Sequence, residues 1–185
     1  MSNFYIKKCN CVFIHIPKTG GLSIRKGMFK GDYEGPFFGS IPPQYQDLFK
    51  FCFVRNPYDR MVSAWKYYKK FFKTSMSFKQ FIAISMDDTI DYHESRQIDS
   101  KSWLRHHSIP QTHPYNCLQM ADFIGRFENI NQDINIICDH LNIKAQLPHI
   151  NKTKRDRYQD YYNAKTRRLV KEFYKKDLEL LEYTF

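Results

Sequence analysis

CVFIHIPKTGGLS, residues 11–23, decides how the rest of the chain is read. Cys11, Val12, Phe13, Ile14 and Ile16 make a short run of apolar, aromatic and β-branched residues, the composition of a buried strand. Pro17, Lys18 and Thr19 end the run. Gly20 and Gly21 then give the backbone the freedom to turn sharply and to approach a ligand closely. Ser23, Ile24 and Arg25 open the next element, read as a helix whose first N–H groups point back at the loop. A strand, a glycine turn and a helix N-terminus form a cradle for phosphate or something of its shape, and Lys18 sets a full positive charge inside it. The common nucleoside-triphosphate loop places its lysine after the last glycine, whereas Lys18 precedes both glycines, so this is a different cradle.

Working outward, FCFVRNPYDRMVSAW (residues 51–65) repeats the logic. Phe51, Cys52, Phe53 and Val54 read as a second buried strand, stopped by Arg55-Asn56-Pro57. Asn56 is a natural N-cap and Pro57 a natural first helical residue. Met61, Ala64, Trp65, Tyr68 and Phe72 follow at helical spacing. Arg55 leaves a strand end, where its planar fork suits a terminal phosphate, and the Ser63 hydroxyl two turns into the helix can complete the oxygen shell.

The remainder of the chain is read more coarsely. Residues 31–47 hold three glycines and three prolines and read as loop, residues 77–86 as a helix, and residues 87–114 as a polar, irregular insertion with four histidines. DFIGRF (122–127) reads as a third short strand. Ile130, Ile134, Ile137 and Leu141 share one helical face, and Thr166–Tyr174 and Asp177–Leu181 close the chain as helices. Strands alternating with helices predict a parallel sheet flanked by helices, with ligands beyond the carboxyl ends of its strands. That is where both the glycine loop and Arg55 fall.

With these two motifs in this order, the sequence resembles the membrane-associated carbohydrate sulfotransferases and their compact microbial relatives. FIHIPKTGGLSI (13–24) is similar to that family's 5′-phosphosulfate loop and FVRNPYDRMVSAW (53–65) to its 3′-phosphate element. Weaker likenesses run through IGRFENI (124–130), HINKTKRDRY (149–158) and FYKKDLELLEYTF (173–185). The resemblance implies an α/β, P-loop-like three-layer fold with a central, mostly parallel sheet. It implies sulfuryl transfer from 3′-phosphoadenosine 5′-phosphosulfate (PAPS) to a hydroxyl, commonly on a glycan. By the same resemblance Lys18, Thr19, Gly20, Gly21, Leu22 and Ser23 hold the 5′-phosphosulfate, with Lys18 also at the reacting end. Arg55 and Ser63 hold the 3′-phosphate, and Lys152 and Arg155 lie in a basic loop able to close over the nucleotide. Leu22 departs from the pattern, which usually has threonine there.

The general base is less defined. Family members often place it between the two motifs, yet residues 26–50 contain no histidine and Glu34 is their only glutamate. Glu34 and His107 are equal candidates, with His106 behind them, because histidine titrates near neutrality. His15, inside the first strand, reads as structural. Gln111 and Tyr115 are candidates for lining an acceptor site.

Bulk properties bound these readings. A chain of 185 residues, 42% hydrophobic and 17% aromatic, is read as one folded domain. The formal charge of +10 predicts an anionic partner without choosing among nucleotide, acidic glycan and nucleic acid. A kinase-like enzyme and a basic nucleotide, nucleic-acid or polysaccharide binder are the alternatives. A kinase wants a magnesium-binding carboxylate at a strand end, where this sequence has His15 and Arg55. A binder of nucleic acid leaves the glycine loop unexplained. The five cysteines lack metal-ligand spacing and read as free thiols, so no metal is expected. No stretch has the length of a membrane span and residues 1–10 are too polar for a signal peptide, so the chain reads as cytoplasmic. Composition does not set the oligomeric state.

Overall fold

The computed structural model describes residues 2–91, 100–144 and 156–185. The chain forms two units, Met1–Arg55 with Gln111–Lys154 and Asn56–Pro110 with Arg155–Phe185. The first holds the sheet, made of β1 (Ser2–Ile6), β2 (Cys11–Ile14), β3 (Tyr33–Phe38), β4 (Lys50–Val54) and β5 (Phe123–Arg126). Their order is β3-β1-β2-β4-β5. β2 pairs in parallel with β4, and β4 with β5, while β1 is antiparallel to both β2 and β3. β1 alone is therefore reversed, and the mixed α/β fold with a mostly parallel central sheet is as the motifs predict.

Every residue of β2 and β4 is buried, which is why both read as continuous apolar runs rather than alternating ones. Among the described residues the α-helices are α1 (Pro57–Phe72), α2 (Phe78–Ser85), α3 (Ser100–Ser108), α4 (Ile130–His140), α5 (Ala164–Phe173) and α6 (Lys175–Leu180). α4 belongs to the first unit, where Ile134, Ile137 and Cys138 pack with Phe4, Phe13, Phe51 and Phe53 in one core. Lys50 and Asp122 brace the entry to β4 and β5: the Asp122 carboxylate accepts from the Lys50 N–H at 2.7 Å and pairs with its amine at 2.9 Å.

The second unit is helical, with Tyr58, Met61, Val62, Tyr68, Phe81, Leu104, Val170 and Tyr174 at its centre. Asn56 caps α1 as its sequence predicts, its side-chain oxygen accepting the Tyr58 N–H at 3.0 Å. The Asn56 amide also donates to the Thr184 carbonyl at 2.7 Å. Arg60 is fully buried and donates to the carbonyls of His107, Ser108 and Ile109. It places a cation at the C-terminus of α3, where the helix dipole is negative.

Two local readings are corrected, and one strand appears where none was read. The 31–47 segment contains β3, a strand whose glycine and proline are tolerated because it lies at the sheet edge. The polar residues at the start of the chain form β1, which carries a buried Phe4 and Ile6. The segment 87–114 is not irregular throughout, because α3 forms within it with its end capped by Arg60.

Candidate active site

β2 ends at Ile14, and the loop that follows is shaped by four residues. Lys18 adopts a left-handed backbone, φ +70°, a conformation that costs a non-glycine residue about 1–3 kcal/mol and tends to sit at ligand clamps. Thr19 is fully buried and donates its hydroxyl to the Ile16 carbonyl at 2.8 Å. Its one hydroxyl proton thus staples the turn rather than facing an anion. Gly20 has φ +91°, and a Cβ there would lie 2.8 Å from the Ile130 side chain. Gly21 has no room at all: a Cβ would lie 2.0 Å from the His15 ring. His15 also neighbours Phe4 and Phe13 at 6.2 and 5.6 Å between ring centroids, so it supports the loop from inside the fold.

The next element is a helix, but a short and wide one. Ser23–Met28 is a six-residue π-helix, with the Phe29 N–H donating to the Ile24 carbonyl at 3.1 Å. Gly27 lowers the α-helical preference of this segment. The Ser23 and Ile24 N–H groups both reach the Gly20 carbonyl, at 3.0 and 3.3 Å. Two N–H groups expected to serve the cradle thereby close the turn instead. Leu22 is exposed.

Arg55 lies at the end of β4, buried, and meets the loop within the same unit. One guanidinium nitrogen, Nη1, donates to the Lys18 carbonyl at 2.9 Å, and the guanidinium carbon lies 4.0 Å from the Phe127 ring centroid. Burial of the Lys18 amine, with the Arg55 charge beside it, lowers its pKa from the ordinary lysine value to about 7. Two cations are thus held together beyond the carboxyl ends of two parallel strands, at the cost of one of them. An anion between them would reverse that cost.

The other expected residues lie on other elements. Ser63 is half-buried in α1, in the second unit. Glu34 sits on β3 opposite Tyr5, which is itself opposite Val12, so it is level with the amino half of β2 rather than with the loop. Its carboxylate accepts from the Tyr45 hydroxyl at 2.6 Å and pairs with Lys7 at 3.2 Å. These partners, Tyr45 foremost, hold its pKa below the usual glutamate range. His106 and His107 are neighbours on α3. His106 is buried, and His107 stacks on Trp103 with ring centroids 3.7 Å apart. The His107 Nδ1 lies 2.8 Å from the Trp103 carbonyl, which can only accept, so that nitrogen is the donor of the pair. Lys152 and Arg155 lie outside the described residues. Tyr115 packs on Gly39, whose missing Cβ would lie 2.6 Å from its ring.

Gln111 is fully buried and holds both main-chain groups of Arg55. Its sequence context suggested a place lining the acceptor site, and Phe127 was not singled out. The aromatic residue of IGRFENI was the available signal. Among the described residues, no group of three or more His, Cys, Asp or Glu side chains gathers as a metal site, and no helix is long and apolar enough to cross a membrane.

A model of the sulfotransferase family matches residues 3–184, nearly the whole chain. The chain belongs to the sulfotransferase family. A relative from Archaeoglobus fulgidus, an uncharacterised protein, is 29% identical over 111 residues, which are 58% of this chain and 80% of that protein. The crystal structure of a sulfotransferase from Alicyclobacillus acidocaldarius is similar with a TM-score of 0.48 and 17% identity. The alignment covers 77% of this sulfotransferase-family chain and 57% of the other, so this chain spans little more than half of that protein's length.

Proposed function

We propose that the chain transfers a sulfuryl group from PAPS to a hydroxyl of a glycan or related acceptor. The observation that carries this reading is the meeting of Lys18 and Arg55, where burial and like charge depress the lysine pKa to about 7. A site built this way favours a ligand with concentrated negative charge. Bound there, PAPS supplies an activated sulfuryl group on a phosphate leaving group.

The residues suit that chemistry. Sulfuryl transfer, like phosphoryl transfer, depends on in-line positioning and on stabilising charge at the leaving oxygens. Lys18 neutralises charge on the bridging oxygen, and main-chain N–H groups between Lys18 and Leu22 receive the nonbridging oxygens. Gly20 and Gly21 let the turn close against Ile130 and His15, Leu22 contributes its backbone alone, and Ser23 belongs to the closing turn. Arg55, with Ser63, holds the 3′-phosphate by charge-assisted hydrogen bonds. Lys152 and Arg155 serve the nucleotide from the basic loop. His107 is the better base, since imidazole is the side chain most used as a proton acceptor while Glu34 is held ionised and weakly basic by Tyr45 and Lys7. His106, its neighbour on α3, is the second histidine candidate.

Calorimetry with 3′-phosphoadenosine 5′-phosphate (PAP) tests the donor. Saturable binding is expected for the wild type, weakened by about tenfold or more but still measurable in Lys18→Ala and Arg55→Ala. A wild-type protein without affinity for PAP would sink the proposal. Transfer of radiolabelled sulfate from PAPS across a panel of saccharides then identifies the acceptor.

A further inference from the structure

Arg55 is fixed at three places, and two of the residues that fix it take no part in sulfuryl transfer itself. The Gln111 carboxamide oxygen accepts from the Arg55 N–H and its NH₂ donates to the Arg55 carbonyl, both at 2.9 Å. One carboxamide thus satisfies both main-chain hydrogen-bonding groups of Arg55 just past the end of β4. Gln111 is 0% exposed, which leaves those bonds little competition from water. The guanidinium face rests on Phe127 at 4.0 Å, and its edge donates to the Lys18 carbonyl. The same Phe127 ring borders Gly20, lying 3.4 Å from where a Cβ of that residue would be. One half-buried ring therefore touches the arginine and the glycine turn together.

We propose that Gln111 and Phe127 are positioning residues of the 3′-phosphate subsite. Gln111 fixes the Arg55 main chain at the end of β4, and Phe127 fixes the plane of its guanidinium, so that the guanidinium meets the phosphate already aligned. This rests on the PAPS reading. Stacking on an aromatic face suits guanidinium because the ring quadrupole attracts the cation while its edge donors stay usable. A long, otherwise flexible side chain held flat loses less freedom when the anion arrives. The arrangement also gives a reason for the aromatic residue in IGRFENI.

The test compares PAP with adenosine 5′-phosphate, which lacks the 3′-phosphate, in calorimetry on the full chain. Phe127→Leu is expected to weaken PAP roughly five- to thirtyfold, in proportion to a desolvated cation–π contact. Its affinity for adenosine 5′-phosphate should fall by clearly less than that, and Phe127→Tyr should recover most of the PAP affinity. In an Arg55→Ala background, Phe127→Leu should change PAP binding by less than about twofold, because residues acting through one another are not additive. Equal losses for both nucleotides, or an undiminished loss in the Arg55→Ala background, overturn the proposal and make Phe127 a general support of the fold. Gln111→Leu is the harsher variant, since it strands two buried main-chain groups, so Phe127→Leu is the variant that decides. Failure of the wild type to bind PAP overturns the donor reading instead, which separates the two ideas.

Discussion

If Lys18 meets the donor as a cation, donor affinity must depend on pH in a window set by this one amine. In the free protein burial, with the Arg55 charge, lowers its pKa to about 7. A bound anion favours the charged form and raises that pKa again. Above pH 7, binding must therefore take up a proton. With a free-state value near 7 and the bound amine returned to the ordinary lysine value, affinity falls by about fiftyfold between pH 7 and pH 9. The proton taken up per PAP bound rises from about 0.5 at pH 7 to about 0.9 at pH 8. Calorimetry in two buffers of different ionisation enthalpy reads this number directly. Working above pH 7 avoids the phosphates' own titration near pH 6. Lys18→Arg, whose charge does not titrate, should flatten the profile. A flat wild-type profile from pH 7 to 9, or an unchanged slope in Lys18→Arg, would mean that this amine does not set donor affinity. The same linkage has a counterpart in stability. The unfolded lysine holds its proton up to its ordinary value and the folded one loses it near 7, so the penalty is full below pH 7 and is relieved as pH rises beyond it. Lys18→Met should therefore stabilise the protein at pH 6–7, by about 1 kcal/mol or more, while weakening donor binding.

Three further outcomes follow from the geometry. Gly21→Ala sets a methyl group 2.0 Å from the His15 ring and should cost about 1–3 kcal/mol in thermal unfolding, with His15→Ala recovering part of the loss in the double variant. His107→Asn should lower kcat by about 10²- to 10⁴-fold, whereas Glu34→Gln should leave it within a few-fold; the opposite order in steady-state assays would move the base to Glu34. Arg60→Met strands the carbonyls that end α3 and should destabilise by about 3 kcal/mol or more in urea unfolding.

The parts of the fold that could be read from sequence are those where one force dominates. β2 and β4 are buried throughout, so hydrophobicity alone marks them. Asn56 and Pro57 mark the start of α1 through local backbone chemistry, independent of anything distant. β1, β3 and α3 were not legible. β3 is half exposed and contains Gly35 and Pro36, and what makes it a strand is its register against Tyr5 and Ile6. α3 is polar along much of its length and is held by Arg60, a residue on another helix. The site divides the same way. Glycines and cations were visible as types, because an anion cradle needs them whatever surrounds it. The Gln111 clamp and the Phe127 shelf were not, because each acts on a residue more than fifty positions away in the chain. The two arginines of RNPYDR look alike in sequence, yet Arg55 reaches the loop and Arg60 ends a helix.

The Asn56–Thr184 hydrogen bond bears on how the chain comes together during synthesis. It joins the first residue of the helical unit to one 128 positions later, and the segment carrying Gln111, β5 and α4 is made in between. A ribosome delivering the chain from its N-terminus releases α1, α2 and α3 long before their partners α5 and α6. Until then, the apolar faces of α1 and α2 that will meet Val170 and Tyr174 wait without them. Closure of that unit is thus a late, long-range event, and the interval before it is when these helices are most exposed to aggregation.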